Sequence, residues 1–168
     1  DSFAYIGWAQ PPFLRSIDVT DPTEPRTAGG CPVFDWPQDM VLRDSFLYVA
    51  QRLGLQVVNV GRPRQPVLVG SCVTADVTRA GLCLRDTIAY IAYWPTEVIN
   101  VADPTHPVKV GEFRRGADNM DVVDTLAYLT GGGLYVYSVA NPAAPVLVDS
   151  FCTGIDAWAV VVLDTLAF

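Results

Sequence analysis

The chain has 168 residues and is acidic, with a formal net charge of −7 and an isoelectric point near 4.4. Proteins that bind nucleic acid present a basic surface, so we expect no nucleic-acid partner. Apolar residues make up 51% of the chain, which is enough to form a sizeable core. No apolar run reaches the length of a membrane span, so we also expect no membrane insertion.

Two short blocks recur in phase along the sequence. The first begins with aspartate and continues with strand-forming residues, and its copies start at Asp1, Asp44, Asp86, Asp124 and Asp164. The intervals are 43, 42, 38 and 40 residues. The second block is Pro-x-x-Pro, with its first proline at positions 22, 63, 104 and 142. A period of about 41 residues with strand-like content indicates a repeat array such as a β-propeller.

Each repeat predicts four short strands, which we label A to D. Strand A precedes the aspartate block, strand B is that block, strand C precedes the first proline and strand D follows the second. These runs are rich in Val, Ile, Leu and Tyr and are bounded by turn residues, as strands are. The predicted A strands are 40–42, 82–84, 120–122 and 160–162. The Asp-Ser/Thr pair predicts a tight A–B turn, the proline block predicts a C–D turn, and no segment has helical periodicity.

These elements predict an all-β fold, a β-propeller of four-stranded antiparallel blades with about four repeats of roughly 41 residues. We treat the chain as a single array whose units are 1–32, 33–73, 74–114, 115–152 and a partial unit 153–168. Both terminal residues fall inside predicted B strands, so we expect a fragment of a larger propeller. The alternative is a closed ring of four blades, in which the last strand A completes the first blade.

The repeat resembles the LVIVD repeat, a family of β-propeller proteins. The resemblance is carried by 82–92 for strands A and B, by 54–60 for strand C and by 66–70 for strand D, and it extends over nearly the whole chain. It implies a secreted or cell-surface, hence extracytoplasmic, protein of bacteria or archaea. It implies no catalytic residues, because the family motif is structural. Two departures are Arg26-Thr27-Ala28, which should interrupt the first strand D, and Asp121, which puts a charge in strand A.

Residues that could catalyse a reaction or bind a metal are few. The single histidine, His106, lies in a C–D turn position that varies between repeats, so we expect a solvated side chain rather than a ligand. The carboxylates Asp39 and Asp121, in or beside A strands, form too thin a constellation for acid–base chemistry. We therefore expect no catalytic residue, no metal site and no cofactor.

The four cysteines are predicted to be free thiols. Cys31 and Cys72 occupy the same position in successive repeats, where the other units have Phe113 and Phe151. Equivalent positions on neighbouring blades should lie beyond the limit of about 7 Å for a disulfide. A position shared by Cys and Phe is an apolar packing site, and the remaining cysteines, 83 and 152, offer no Cys-x-x-Cys motif.

All four tryptophans fall in or next to B–C loops and D–A connections. In a four-stranded meander these segments share one end of the sheet, and the A–B and C–D turns share the other. Aromatic residues and arginine are the usual anchors of binding surfaces. The sequence therefore predicts a partner-binding face composed of Trp8, Trp36, Tyr93, Trp94 and Trp158, with Arg52, Arg79 and Arg115 at its rim. The alternative is that the tryptophans wedge between blades.

Three classes of function fit these features. We expect a noncatalytic recognition or scaffold module of a secreted or cell-surface protein, which binds a protein partner through its loops. The second class is a glycan-binding module, in which the same tryptophans stack on sugar rings. The third is an enzyme, such as a lactonase-type hydrolase or a cofactor-dependent propeller, and the scarcity of histidines and clustered carboxylates argues against it.

Overall fold

A computed structural model describes residues 2–74, 81–152, 154, 157–163 and 166–167. These residues form only β-strands, turns and irregular segments, and the strands pair in antiparallel sheets. In each sheet the strands are neighbours in chain order, so every sheet is a simple meander. The prediction of an all-β fold built from four-stranded antiparallel sheets is confirmed.

The strands follow the predicted repeat. Sheet 1 has three strands, β1 (Phe3–Ala9), β2 (Pro12–Asp18) and β3 (Arg26–Pro32). Sheet 2 has β4 (Pro37–Arg43), β5 (Phe46–Gln51), β6 (Gly54–Asn59) and β7 (Val67–Val73). Sheet 3 has β8 (Gly81–Arg85), β9 (Ile88–Ala92), β10 (Glu97–Asn100) and β11 (Val108–Glu112). Sheet 4 has β12 (Asn119–Val123), β13 (Leu126–Thr130), β14 (Leu134–Ser138) and β15 (Val146–Phe151), and β16 (Val162–Leu163) pairs with β17 (Leu166–Ala167).

Three local expectations need correction. Arg26-Thr27-Ala28 does not interrupt the first strand D, because β3 begins at Arg26 and pairs with Asp18. The last strand A is Val162–Leu163 rather than 160–162. Trp8 lies within β1, opposite Phe13, rather than in the loop beyond it. In each case backbone pairing across the hairpin, which composition does not reveal, decides where the strand begins or ends.

The turns form as predicted. Asp44, Asp86 and Asp124 open the A–B turns with φ values of 52°, 47° and 52°, a left-handed conformation that Asp tolerates better than most residues. In three of the four C–D turns, a side-chain oxygen at the first position accepts a backbone N–H two residues later. This bond is 2.9 Å from Asp103 to Thr105, and Asp21 and Asn141 make the same contact. A left-handed aspartate thus forms the A–B turns, and side-chain hydrogen bonds hold these C–D turns.

A β-bulge recurs at one position of the C–D pairing in all four sheets, which the sequence did not reveal. The register shifts between Ser16 and Ile17 in sheet 1, and the equivalent shifts follow Val57, Val98 and Val136. A bulge leaves one residue of the longer strand unpaired and increases the local twist of the sheet. The outer strand of every sheet is thus bent at the same place.

One apolar core fills each junction between consecutive sheets. Leu14 and Val49 contribute to the first core, Leu55 and Ile91 to the second, and Phe113, with Met120 and others, to the third. The A strands lie side by side, β4 next to β8, β8 next to β12, and β12 next to β16. The sheets are therefore stacked in chain order, with strand A on the same side of each.

Polar contacts between neighbouring sheets supplement these cores. Asp39 accepts a hydrogen bond from the backbone N–H of Leu82 at 2.8 Å, and Asp121 accepts one from Val162 at 2.8 Å. Arg43 donates to the carbonyl oxygen of Leu84 at 2.9 Å. Asp39 and Asp121, the only carboxylates considered for acid–base chemistry, thus accept hydrogen bonds from the backbone of the following strand A.

The four cysteines are free, as predicted. Cys31 is buried in the first core, and burial raises the pKa of its thiol and of the partly buried Cys72 and Cys83 thiols. Cys152 is exposed. A raised pKa keeps the first three as neutral thiols of low reactivity at neutral pH.

Candidate functional site

The two ends of the sheets differ in composition. We call the end with the B–C loops and D–A connections the loop face, and the end with the A–B and C–D turns the turn face. On the loop face, the D–A connection after sheet 3 bonds to the B–C loop of the same sheet. Phe113 N–H donates to Thr96 O at 2.8 Å and Ala117 N–H to Tyr93 O at 3.0 Å. These bonds join that connection and that loop into one continuous surface.

All four tryptophans are exposed at this face. The exposed fraction is 54% for Trp8, 48% for Trp36, 66% for Trp94 and 66% for Trp158. Side chains that wedged between sheets would be buried, as Phe113 is. The geometry therefore favours the surface interpretation of these residues over the wedge, and their role in binding stays a prediction.

Trp8 stands over a shallow pocket of about 270 Å³, which is lined also by Pro11, Phe13 and Arg15. The guanidinium carbon of Arg15 lies 5.9 Å from the centroid of the Trp8 ring, a cation–π distance. Arg15 was not among the predicted residues. The sequence signal that indicates Arg15 is its place in β2. Trp8 and Arg15 lie on the same hairpin, and Arg15 pairs with Ile6, which is close to Trp8 in β1.

Trp36 and Arg52 meet around a shared carboxylate. Asp35 accepts the backbone N–H of Trp36 at 2.8 Å, and its other oxygen lies 3.0 Å from Arg52 Nε. Asp35 is largely buried and Arg52 is partly exposed. This ion pair joins the connection before sheet 2 to the B–C loop of sheet 2. Arg79, the other predicted rim residue of this region, lies outside the described residues.

Tyr93, Trp94 and Arg115 line one open pocket of about 320 Å³, together with Gly116, Ala117, Asp118 and Gly131. The structure thus brings three of the predicted residues together in the groove between the B–C loops of sheets 3 and 4. Trp158 lies on the connection after sheet 4, and no described pocket includes it.

Arg115 is fixed by its neighbours. Its guanidinium lies 3.5 Å from the ring centroid of Tyr135, and its Nη2 donates to Gly131 O at 2.7 Å. The Nε atom is buried without a hydrogen-bond partner among the described residues. Sequence reasoning found Arg115 but missed Tyr135, because strand pairing in β14 decides the position of that ring.

On the turn face, hydrogen bonds within the C–D turns lower the pKa of two aspartates. Hydrogen bonds from the side chain and backbone of Thr105 lower the pKa of Asp103, and Thr23 does the same for Asp21. His106 is exposed in its C–D turn, with Nδ1 3.2 Å from Asp103 Oδ2. This placement agrees with the predicted solvated turn histidine.

The described residues contain no group of three or more His, Cys, Asp or Glu side chains arranged to hold a metal ion. Burial raises the pKa of the core residue Tyr90 to about 12, and the buried carboxylate Glu97 forms an ion pair with Lys109 at 2.9 Å. Within the described ranges, no helix has the length and apolar character needed to cross a membrane.

Comparison with solved structures supports the fold. A functionally unknown protein from Desulfotomaculum acetoxidans has a TM-score of 0.76 and 14% identity, over 95% of this chain and 55% of that chain. The computationally designed Ika8 protein has a TM-score of 0.74 and 9% identity, over 99% of this chain and 52% of that chain. At such low identity the likeness concerns the fold alone, and the chain spans about half the length of each protein.

The curated proteins include no match to this chain. A family model does match part of it, over sheet 2 and the residue after that sheet. Residues 37–74 match the LVIVD repeat, so the chain is consistent with an LVIVD-repeat family, as its sequence pattern predicted.

Proposed function

We propose that the chain is a noncatalytic recognition module that binds a partner through its loop face. The observation that carries this proposal is the exposure of all four tryptophans, from 48% to 66%, at one end of the sheets. Each leaves a large apolar surface in water, and binding a partner would remove that surface from solvent. Tryptophan and arginine are also the residues most often found at the energetic centre of an interface.

The absence of catalysis is part of the same proposal. Asp39 and Asp121 each accept two backbone hydrogen bonds. One carboxylate oxygen accepts an N–H of the next strand A. The other accepts the N–H of the following residue in the same strand, Met40 or Val122. A carboxylate engaged in this way on both oxygens is a poor general base. The remaining acidic groups of the turn face cap turns and do not line a shared pocket with a histidine.

The sheets act in this proposal as the blades of a β-propeller, and the module belongs to a secreted or cell-surface protein. The side-by-side A strands and the single core at each junction support the blade arrangement. The location rests on the resemblance to the LVIVD repeat, which implies an extracytoplasmic protein and which the match at 37–74 supports.

The test is a set of four single Trp→Ala variants, with His106→Ala on the turn face as the matched exposed control. The immobilised chain is screened against a panel of glycans and purified surface proteins, and thermal unfolding is recorded for every variant. We expect at least one tryptophan variant to lose binding while its melting temperature stays within about 2 °C, because exposed side chains contribute within about 0.5 kcal/mol.

Two results would contradict the proposal. If every tryptophan variant loses several degrees of stability, the tryptophans are structural. If no member of the panel quenches tryptophan fluorescence in the parent chain, the loop face has no partner in these classes. Turnover of a chromogenic lactone or ester that is lost on Asp39→Ala would instead point to an enzyme.

A further inference from the structure

The pocket beside Trp94 has the features of a small-ligand site within the loop face. Its volume of about 320 Å³ lies at the lower end of the range for such pockets, roughly 300–1,000 Å³. It is open to solvent and mixes an aromatic surface with one cationic and one anionic side chain. A ligand of this size is a single ring or a short side chain rather than an extended protein surface.

Trp94 forms one wall of this pocket. A Cβ atom at Gly116 would lie 2.7 Å from Trp94 Cε3 and 2.8 Å from Tyr93 O, so the loop packs directly against the bare backbone of Gly116. The indole is nonetheless 66% exposed. A ring that is held at its edge and open over most of its area is a ready stacking surface, because little side-chain freedom is lost when a ligand covers it.

Arg115 and Asp118 supply the polar groups. Arg115 is held by Tyr135 and by Gly131 O, as described above, and Asp118 donates its own backbone N–H to Thr130 O at 2.8 Å. No ion pair within 4.0 Å joins the two side chains in the part of the chain that the structure describes. By contrast, Asp35 and Arg52 neutralise each other at 3.0 Å. The charges of Arg115 and Asp118 are thus left to face a ligand.

The charge balance selects the ligand class. An anionic ligand would meet Asp118, and a cationic ligand would meet Arg115, so each would gain one contact and oppose another. A neutral polyhydroxylated ring does not have this conflict, since its hydroxyls donate to the carboxylate and accept from the guanidinium. Its C–H face can lie on the indole. We propose that this pocket binds one neutral sugar ring stacked on Trp94, which deepens the proposed recognition function and rests on it.

The pocket at Trp8 provides an internal contrast. It has an exposed tryptophan and Arg15, but no carboxylate lines it. A sugar ring there would lose the acceptor that Asp118 supplies. The inference therefore applies to the Trp94 pocket and not to exposed tryptophans in general.

The experiment uses methyl glycosides of glucose, galactose and mannose, and N-acetylglucosamine, as neutral probes. Glucuronic acid and glucosamine serve as the anionic and cationic probes. Binding to the full chain is followed by saturation-transfer NMR and by titration of tryptophan fluorescence. The variants are Trp94→Ala and Asp118→Ala, with Phe151→Ala as the matched control, because Phe151 is a similarly exposed aromatic residue that lies outside this pocket and outside the predicted binding residues.

We expect at least one neutral probe to bind more tightly than either charged probe. Trp94→Ala should abolish that binding, and Phe151→Ala should leave it unchanged. Asp118→Ala should weaken it about tenfold or more, because a hydrogen bond to a charged group is lost. Thermal unfolding of each variant shows that the fold is intact. Asp118→Asn keeps a hydrogen-bond acceptor and should lose less than Asp118→Ala.

Other outcomes overturn the inference. Tighter binding of glucosamine or glucuronic acid assigns the pocket to a charged ligand. Equal loss with Trp94→Ala and Phe151→Ala means that the sugar binds nonspecifically to exposed aromatic side chains. If no sugar binds but a surface protein still requires Trp94, the sugar inference fails while the proposed recognition function stands.

Discussion

Phe113 and Phe151 occupy the same position of the repeat and have opposite environments. Phe113 is 0% exposed in the third core, with its ring centroid 5.1 Å from that of Tyr137. Phe151, six residues after the second proline of sheet 4, is 68% exposed. The same residue type at the same repeat position thus serves as core or as surface. What decides is whether a following sheet covers it, which the residue type at this position does not reveal.

A second repeat position also differs between sheet 4 and the other sheets, here in the type of residue. Gly29, Gly70 and Gly111 lie four residues after the second proline, and a Cβ at each would come within 2.2–2.6 Å of a carbonyl oxygen in the next C–D turn. These turns approach so closely that only glycine fits. In sheet 4 the same position is Asp149, which is exposed and accepts the N–H of Ser150 at 2.8 Å. A C–D turn could not approach sheet 4 in the same way.

The largest effect is expected from a pair of Phe→Ala substitutions that tests the comparison of Phe113 with Phe151. Phe113→Ala should cost about 3–5 kcal/mol of unfolding free energy, because it removes a large buried side chain and leaves a cavity between two sheets. Phe151→Ala should change it by no more than about 0.5 kcal/mol. Chemical denaturation of both variants measures the difference. Equal costs would mean that the outer side of sheet 4 is covered in solution.

A smaller difference in stability should separate substitutions at Gly70 and at the equivalent Asp149. Alanine at position 70 restricts the unfolded chain, which favours folding by about 0.4–1 kcal/mol. A Cβ only 2.2 Å from Pro104 O outweighs this gain, so Gly70→Ala should destabilise the chain by about 1–3 kcal/mol. Asp149→Ala has no such neighbour and should be nearly neutral. A stabilised Gly70→Ala variant would show that the junction relaxes easily.

The carboxylates allow a third comparison. Asp39 bonds across a junction to Leu82, whereas Asp149 bonds only its own neighbour in the chain. Asp39→Ala should therefore cost about 1 kcal/mol, the net value of one hydrogen bond in a partly buried place. The same denaturation assay, with Asp149→Ala as control, checks this value. Matching stabilities of the two variants would argue that the junction bond contributes nothing.

The sequence predicted the elements of the fold better than their contacts. Strand order, turn chemistry and the three-stranded first sheet follow from the Asp and Pro-x-x-Pro blocks, because these are local signals. The bulge beside Ser16 and the burial difference between Phe113 and Phe151 depend on pairing and on neighbouring sheets. At the candidate site, the exposed tryptophans could be proposed from loop position, but the pocket formed with Asp118 required two loops to meet.

The smallest expected effect on stability concerns the C–D turns. Asp103 and Asn141 occupy equivalent positions in the turns of sheets 3 and 4, and each accepts the same kind of hydrogen bond. Hydrogen bonds from Thr105 lower the pKa of Asp103 below its ordinary value of 3.8. A depressed carboxyl pKa stabilises the fold above that ordinary value, and the stabilisation is lost as the pH falls through the folded pKa. Asn141 does not titrate, so its turn has no such loss.

Asp103→Asn should therefore make the sheet 3 turn resemble that of sheet 4. We expect slightly lower stability than the parent at neutral pH, since the charged acceptor is lost, and a smaller decrease on acidification. Thr105 and His106 are the groups in contact with the Asp103 carboxylate. The positive charge of a protonated His106 favours the charged form of Asp103 and so lowers the pKa of Asp103 further. NMR titration of the Asp103 carboxyl should give a pKa below 3.8. A value at or above the ordinary one would show that the turn hydrogen bonds do not persist in solution.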